Sequence, residues 1–236
     1  MFLWYQPFMV AVVFDMDGVI IDSEPVHKQI EDLVFADLGI VLSDEEYYHR
    51  FLGVNEYDKW FQVKRDWNLS HSVETLMQME RDRHAESYSP EEIPFVPGVL
   101  SLIDTLYSRG LPLAIASSSP FPSIAETVRR AGIEDKITAA VGGDQVSRSK
   151  PDPEIFVKAV EKLRQAASER VGTGARSEFV AIEDSPNGVT AARRAGLHVI
   201  GYQPRQSVLP PLTAAHQICR SMDEIAAVIT ALPTTF

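Results

Sequence analysis

Cysteine is nearly absent from this sequence: of 236 residues only Cys219 carries a thiol. One thiol excludes an internal disulfide and suits a reducing compartment, so the cytoplasm is the expected location. Long apolar runs are missing as well. None approaches the roughly 18 consecutive apolar residues of a membrane-spanning helix, and no membrane partner is expected. The opening residues 1–8 are apolar, but they lack a basic start and are too short for a secretory signal; they read as an extension ahead of a first strand beginning at Met9. Positive charge is in deficit. Lys and Arg number 22 against 33 Asp and Glu, a formal net charge of −11. That balance argues against nucleic acid as a partner. It also means that a site for an anion must gather its own positive charge, from a metal and a few Lys or Arg. The six histidines (27, 49, 71, 84, 198 and 216) show no metal-ligand spacing, and no internal repeat or low-complexity tract is present.

What is present is a soluble composition, 45% hydrophobic and 23% charged, in a chain long enough for one large domain or two small ones. Met9–Phe14 is a continuous apolar run, as expected of a parallel strand covered on both faces. Similar runs follow at Leu111–Ala116, Ile137–Val141, Phe179–Ile182 and Leu197–Tyr202, with a weaker one at His216–Cys219. Helical stripes lie between most of them, such as Val99, Leu102, Ile103, Leu106 and Tyr107, or Phe156, Ala159, Val160 and Leu163. Strands alternating with helices predict an α/β fold, a doubly wound parallel sheet of Rossmann-like type. Gln165–Ser177, with Gly172 and Gly174 inside it, reads as a surface loop.

Residues 25 to about 95 break the rhythm. Helix-like segments near 25–38, 44–51, 55–67 and 72–88 follow one another with no convincing strand, and Tyr47-Tyr48 and Trp60-Phe61 offer a core for them. The expectation is a helical domain, residues 25–95, inserted into an α/β core made of residues 1–24 and 96–236. Its joints fall near Ile21–Glu24 and Ile93–Gly98.

Four short segments sit at or just beyond strand ends, where open α/β sheets place ligands. Asp15-Met16-Asp17-Gly18 supplies a carboxylate able to attack phosphorus and a second one able to pass a proton; Gly18 allows a sharp bend. A polar turn with side-chain-to-backbone bonds is the plain alternative. Ser117-Ser118-Ser119 offers hydroxyls for phosphate oxygens, or an N-cap for the helix beginning near Phe121-Pro122. In Lys150-Pro151-Asp152-Pro153, helix initiation accounts for Asp152 and Pro153 but not for the lysine, which can neutralise Asp15 and a bound phosphate. Glu183-Asp184 places two acids side by side, which repel unless solvated or neutralised by a cation. Asp15 and Asp184 are the one or two carboxylates that Mg2+ takes from a protein, and a solvated loop is the alternative. Cys219 reads as a buried strand residue.

With all four segments in this order, nearly the whole chain resembles the haloacid dehalogenase superfamily. Phe14-Asp-Met-Asp-Gly-Val-Ile-Ile-Asp-Ser-Glu24 is similar to its subgroup with a helical cap, which includes β-phosphoglucomutase and many sugar-phosphate phosphatases. The resemblance implies that Asp15 is the nucleophile, Asp17 the general acid and base, Ser117 the phosphate-binding hydroxyl and Lys150 the charge-balancing lysine. Ser118, Gly18, His27 and Gly53 would join the substrate and phosphate contacts. Mg2+ would be held by Asp15, the carbonyl of Asp17 and Asp184, with Glu183 close by. The expected partner is a small phosphorylated metabolite. Dehalogenation is not implied, because dehalogenases of this superfamily lack the second aspartate that Asp17 supplies.

Hydrolysis and mutase chemistry remain to be separated. A mutase must hold a bisphosphate and needs cations for the phosphate that is not reacting. Where β-phosphoglucomutase has a lysine before the cap Gly-Val and an arginine two residues beyond it, this chain has Leu52 and Glu56; where it has Lys-Asn after the serine motif, this chain has Pro120-Phe121. Contacts of that kind contribute roughly 1.5–3 kcal/mol each. Their loss favours a phosphatase. The alternatives are a mutase that uses another cation, such as Arg50, and a binding protein that kept the fold without turnover.

Overall fold

The computed structural model describes residues 8–51, 54–87, 93–171, 176–204 and 211–232. Among these the strands are β1 (Phe8–Phe14), β2 (Leu113–Ala116), β3 (Ala139–Val141), β4 (Arg176–Glu183), β5 (His198–Tyr202) and β6 (Gln217–Cys219). They form one sheet in the order β3-β2-β1-β4-β5-β6, and every pairing is parallel. The order reverses between β1 and β4, which pair along seven residues from Phe8 opposite Arg176 to Phe14 opposite Ile182. A reversal of this kind leaves a crevice at the carboxyl ends of the two strands.

The continuous apolar run of β1 is explained by its two covered faces. Val10, Val12 and Phe14 point into one cluster, with α5 (Val99–Ser108), α6 (Phe121–Ala131) and α9 (Met222–Ala231). Ala11 and Val13 point into the other, with α7 (Glu154–Val171) and α8 (Pro186–Arg194). The alternation has period 2, so both halves of the run are buried.

Between β1 and α5 lie α1 (Glu24–Asp37), α2 (Asp44–Phe51), α3 (Glu56–Asp66) and α4 (Val73–Ser87). They pack around their own cluster, built from Val34, Phe35, Tyr47, Tyr48, Phe51, Trp60, Val63 and Leu76. Phe35 contacts Tyr47, Phe51 and Trp60 at ring-centroid distances of 6.5, 6.2 and 5.5 Å. Burial of each such ring is worth about 1.5–3 kcal/mol. The chain enters and leaves this helical segment side by side. Ile21 bridges Phe95 in antiparallel fashion, Asp22 N–H donates to the Pro94 carbonyl at 2.8 Å, and Val96 N–H donates to Ile20 at 2.9 Å.

Three expectations change. The first strand begins at Phe8, not Met9, because Phe8 already opposes Arg176. The expected loop over 165–177 is helical as far as Val171, since Ala166, Ala167, Glu169 and Arg170 carry α7 on; Gly172 and Gly174 lie outside the described residues. Phe61 is half exposed at 51% and stacks on Tyr57, because one residue past Trp60 is about 100° around the helix from the buried face.

Candidate active site

Asp15 sits one residue beyond β1 and keeps the ladder going, its N–H donating to the Ile182 carbonyl at 3.0 Å. Its carboxylate is buried; Oδ1 accepts from Met16 N–H at 2.8 Å and faces the Lys150 ammonium at 2.9 Å. The chain then turns at Gly18, whose φ is +76° and whose N–H donates to the Ile21 carbonyl at 2.8 Å. A Cβ at Gly18 would lie 1.9 Å from Asp184 Oδ2. Only glycine tolerates both the backbone and the approach. Gly18→Ala is therefore expected to lower turnover at least about a hundredfold by displacing Asp184, in a protein that remains soluble; steady-state kinetics and a thermal melt check it.

Glu183 ends β4 and Asp184 follows it directly. Glu183 is fully buried, with Oε1 2.6 Å from Lys150 Nζ and Oε2 accepting from Ser185 N–H and Oγ at 3.2 and 3.1 Å. Ser185 also caps α8 through Gly188 N–H at 3.0 Å, and Pro186 opens the helix. Gly188 has no room for a side chain: a Cβ would meet Glu183 Oε1 at 1.8 Å.

Lys150 thus stands between two acids, beside the Phe156 ring at 5.1 Å. Burial would lower its ammonium, but Asp15 and Glu183 outweigh burial and raise it above the usual lysine range. Burial first, and then the charge on Glu183, push Asp15 well above the usual carboxylate range against the pull of Lys150. One lysine does not balance three acids. Asp15, Glu183 and Asp184 each offer an oxygen, and these oxygens lie within 4.8 Å of one another. Hard oxygen donors, buried and underneutralised, fit a small divalent cation.

Asp17 lies outside that trio. Oδ1 accepts from Ser23 Oγ at 2.8 Å, and Oδ2 from Ser119 Oγ at 2.7 Å and Ser117 Oγ at 3.1 Å. Ser117 is fully buried, and its Oγ also accepts from Ser119 N–H at 3.0 Å. The serines do not cap α6. Pro120 holds the cap position, and Phe121 N–H donates instead to Asp144 Oδ1 at 2.8 Å. Asp152 lies one position further from its helix than expected, its Oδ1 accepting from Glu154 N–H at 3.1 Å.

These groups open on a cavity of about 390 Å3, lined on the sheet side by Asp15, Asp17, Ser118, Ser119, Lys150 and Asp184. The helical side contributes His27, Glu31, Glu56, Lys59, Glu80 and Arg81, among others. Lys59 pairs with Glu31 at 2.5 Å and Glu80 at 3.0 Å, and Arg81 with Glu56 at 3.1 Å. Arg50 is elsewhere, paired with Asp66 and stacked 4.7 Å from the Trp67 ring. Gly53, and Leu52 before it, lie outside the described residues. A second cavity of about 550 Å3 between α6 and α7 holds none of the three clustered acids.

Sequence reasoning missed Ser23 and, on the helical side, Glu31, Lys59 and Glu80. Ser23 carries no signal beyond its place in Asp22-Ser23-Glu24. The others do: Glu31 and Lys59 occupy buried positions of α1 and α3, where helix periodicity calls for apolar residues.

Comparison with known proteins places the chain in a family. The family model described as haloacid dehalogenase-like hydrolase matches residues 12–202. The chain belongs to that family. It is 32% identical over 192 residues to the phosphorylated carbohydrates phosphatase of Thermotoga maritima, covering 81% of this chain and 84% of that one. It is 29% identical over 195 residues to hexitol phosphatase B of Escherichia coli K12, covering 81% and 82%. Among solved structures it is similar to CbbY from Rhodobacter sphaeroides in complex with phosphate, with a TM-score of 0.69 and 26% identity over 91% of this chain and 95% of that one.

Proposed function

We propose that this phosphoric monoester hydrolase removes phosphate from a small phosphorylated sugar or polyol by way of an aspartyl-phosphate on Asp15. Mg2+, held by Asp15, the Asp17 carbonyl and Asp184 with Glu183 behind them, would supply charge neutralisation at the phosphoryl group. The observation that carries the reading is the Asp15–Lys150–Glu183 constellation at the sheet's reversal point, beside Asp17 and in a cavity capped by helices.

Asp15 Oδ attacks phosphorus and the bond from phosphorus to the sugar oxygen breaks. Asp17 gives its proton to the departing oxygen. Lys150 offsets negative charge at Asp15 and the transferring group. Asp17 then takes a proton from water, whose oxygen attacks phosphorus; inorganic phosphate leaves and the Asp15 carboxylate returns. Ser23, Ser117 and Ser119 fix the Asp17 carboxylate through both oxygens. The helical segment, with paired linkers at Ile21 and Phe95, would serve as the cap that excludes bulk water; its proposed extent is residues 25–95.

Hydrolysis is favoured over mutase action by the state of the cations on the cap side. Lys59 and Arg81 both line the cavity, and each is already paired with carboxylates. Phosphate release from p-nitrophenyl phosphate tests turnover. Phosphate released from β-glucose 1-phosphate, against 6-phosphate formed from it, tests hydrolysis against transfer; faster isomer formation would overturn the reading. The double change Glu56→Arg and Pro120→Lys places two cations on the cavity wall. It is expected to tighten binding of a sugar bisphosphate by about tenfold or more, measured by inhibition of p-nitrophenyl phosphate turnover.

A further inference from the structure

The turn that follows β3 is laid along the serine motif and bonded to it at three points. Ser117 N–H donates to the Val141 carbonyl at 3.1 Å, which carries the β2–β3 ladder one residue past the end of β2. Gly143 N–H donates to the Ser119 carbonyl at 2.9 Å, and Phe121 N–H donates to Asp144 Oδ1 at 2.8 Å. Between these bonds the two backbones touch. A Cβ at Gly143 would lie 2.1 Å from the Ser118 carbonyl oxygen, and one at Gly142 would lie 2.4 Å from the Phe121 nitrogen. Neither glycine has a positive φ, so it is the close approach that requires them.

The turn is itself held from behind. Gly142 N–H donates to Gln145 Oε1 at 3.1 Å, and Lys158 Nζ of α7 donates to the Gln145 carbonyl at 2.6 Å. Glu154 Oε2, also of α7, accepts from Ser147 and Arg148 N–H at 2.9 and 3.1 Å. The backbone is thus pinned although Asp144, Gln145, Ser147 and Arg148 are exposed. Capping of α6 accounts for Asp144 alone. It does not call for a glycine pair pressed against Ser118 and Phe121. The serine motif explains that pair. The Ser117 and Ser119 hydroxyls donate to Asp17 Oδ2 at 3.1 and 2.7 Å, and Ser118 and Ser119 line the Asp15 cavity. Displacing such groups by about 1 Å costs on the order of a hundredfold in rate.

We propose that Gly142, Gly143 and Asp144 are positioning residues for phosphoryl transfer, which fix the backbone of Ser117–Ser119 so that its hydroxyls meet Asp17 and the transferring phosphoryl group. This rests on the reading of Asp15 as the site of phosphoryl transfer. None of the three lines the cavity, and each acts only through the serine segment. Asp144 contributes an oxygen acceptor rather than a charge, since its partner is a neutral backbone N–H.

The test uses the full chain with Mg2+, p-nitrophenyl phosphate as substrate and inorganic phosphate as competitive inhibitor. Gly143→Ala is expected to lower kcat/KM at least about a hundredfold and to raise Ki for phosphate at least about tenfold. Asp144→Ala is expected to raise that Ki at least about threefold, while Asp144→Asn, which keeps an oxygen acceptor at the helix start, stays within about twofold of the parent. The rise of the thermal midpoint with Mg2+ should persist in all three variants, because Asp15, Glu183 and Asp184 stand at the ends of β1 and β4. A role confined to folding would lower the thermal midpoint and the active fraction but leave KM and Ki within about twofold of the parent, which would overturn the proposal. Equal losses in Asp144→Asn and Asp144→Ala would overturn it as well. If Gly143→Ala does not fold, the two Asp144 variants decide, since that side chain is exposed. Parent turnover with Ki unchanged in the variants removes the positioning role and keeps the hydrolase. No turnover by the parent removes both.

Discussion

Asp15→Asn is expected to abolish turnover, by more than about a thousandfold, while the protein stays folded. The amide has nearly the shape of the carboxylate and is a poor nucleophile. Lys150 keeps Glu183 at 2.6 Å, so the buried ammonium is not orphaned by the change. Asp15 is also under strain from burial and from the Glu183 charge, so loss of its charge removes a repulsion as well as an attraction. The thermal midpoint should therefore stay within about 4 °C, the shift that about 1 kcal/mol produces in a chain of this size. Activity within tenfold of the parent would sink the assignment of Asp15.

Removal of divalent metal is expected to be equally severe. Three acids with oxygens within 4.8 Å of one another face one lysine. In the presence of excess EDTA, turnover of p-nitrophenyl phosphate should fall to background, and Mg2+ should restore it. Ca2+ should restore little, because its longer and looser coordination suits the site less well than the compact octahedron of Mg2+. A second readout is independent of chemistry. Mg2+ at about a hundred times its dissociation constant contributes about 2.7 kcal/mol to stability, so the thermal midpoint should rise with Mg2+ in the wild type. Gly18→Ala, which crowds Asp184, should blunt that rise. Full activity in EDTA would contradict the reading.

The sequence made most of the sheet legible because β1 to β5 each contain a short apolar run and the helices between them carry clear stripes. Strand ends were less sharp. Arg176, Ser177 and Glu178 belong to β4 although none is apolar, since pairing with Phe8, Met9 and Val10 extends the ladder beyond the run. The motifs proposed as catalytic were legible because they follow strand ends in order along the chain. Asp17's partners were not, since Ser117 and Ser119 lie 100 and 102 residues away and only the fold brings their hydroxyls to its Oδ2. The cap wall was hidden for the same reason: Lys59 and Glu31 are 28 residues apart on separate helices, and each alone looks like an ordinary helix charge.

A covalent phosphate at residue 15 is the central intermediate of the proposed reaction. Acid quenching during steady turnover of p-nitrophenyl phosphate, followed by borohydride reduction, converts a phosphorylated aspartate to homoserine, and peptide mass spectrometry locates it. Homoserine is expected at position 15, dependent on substrate and Mg2+, with inorganic phosphate as the product. Rapid phosphate release with residue 15 recovered only as aspartate would contradict it.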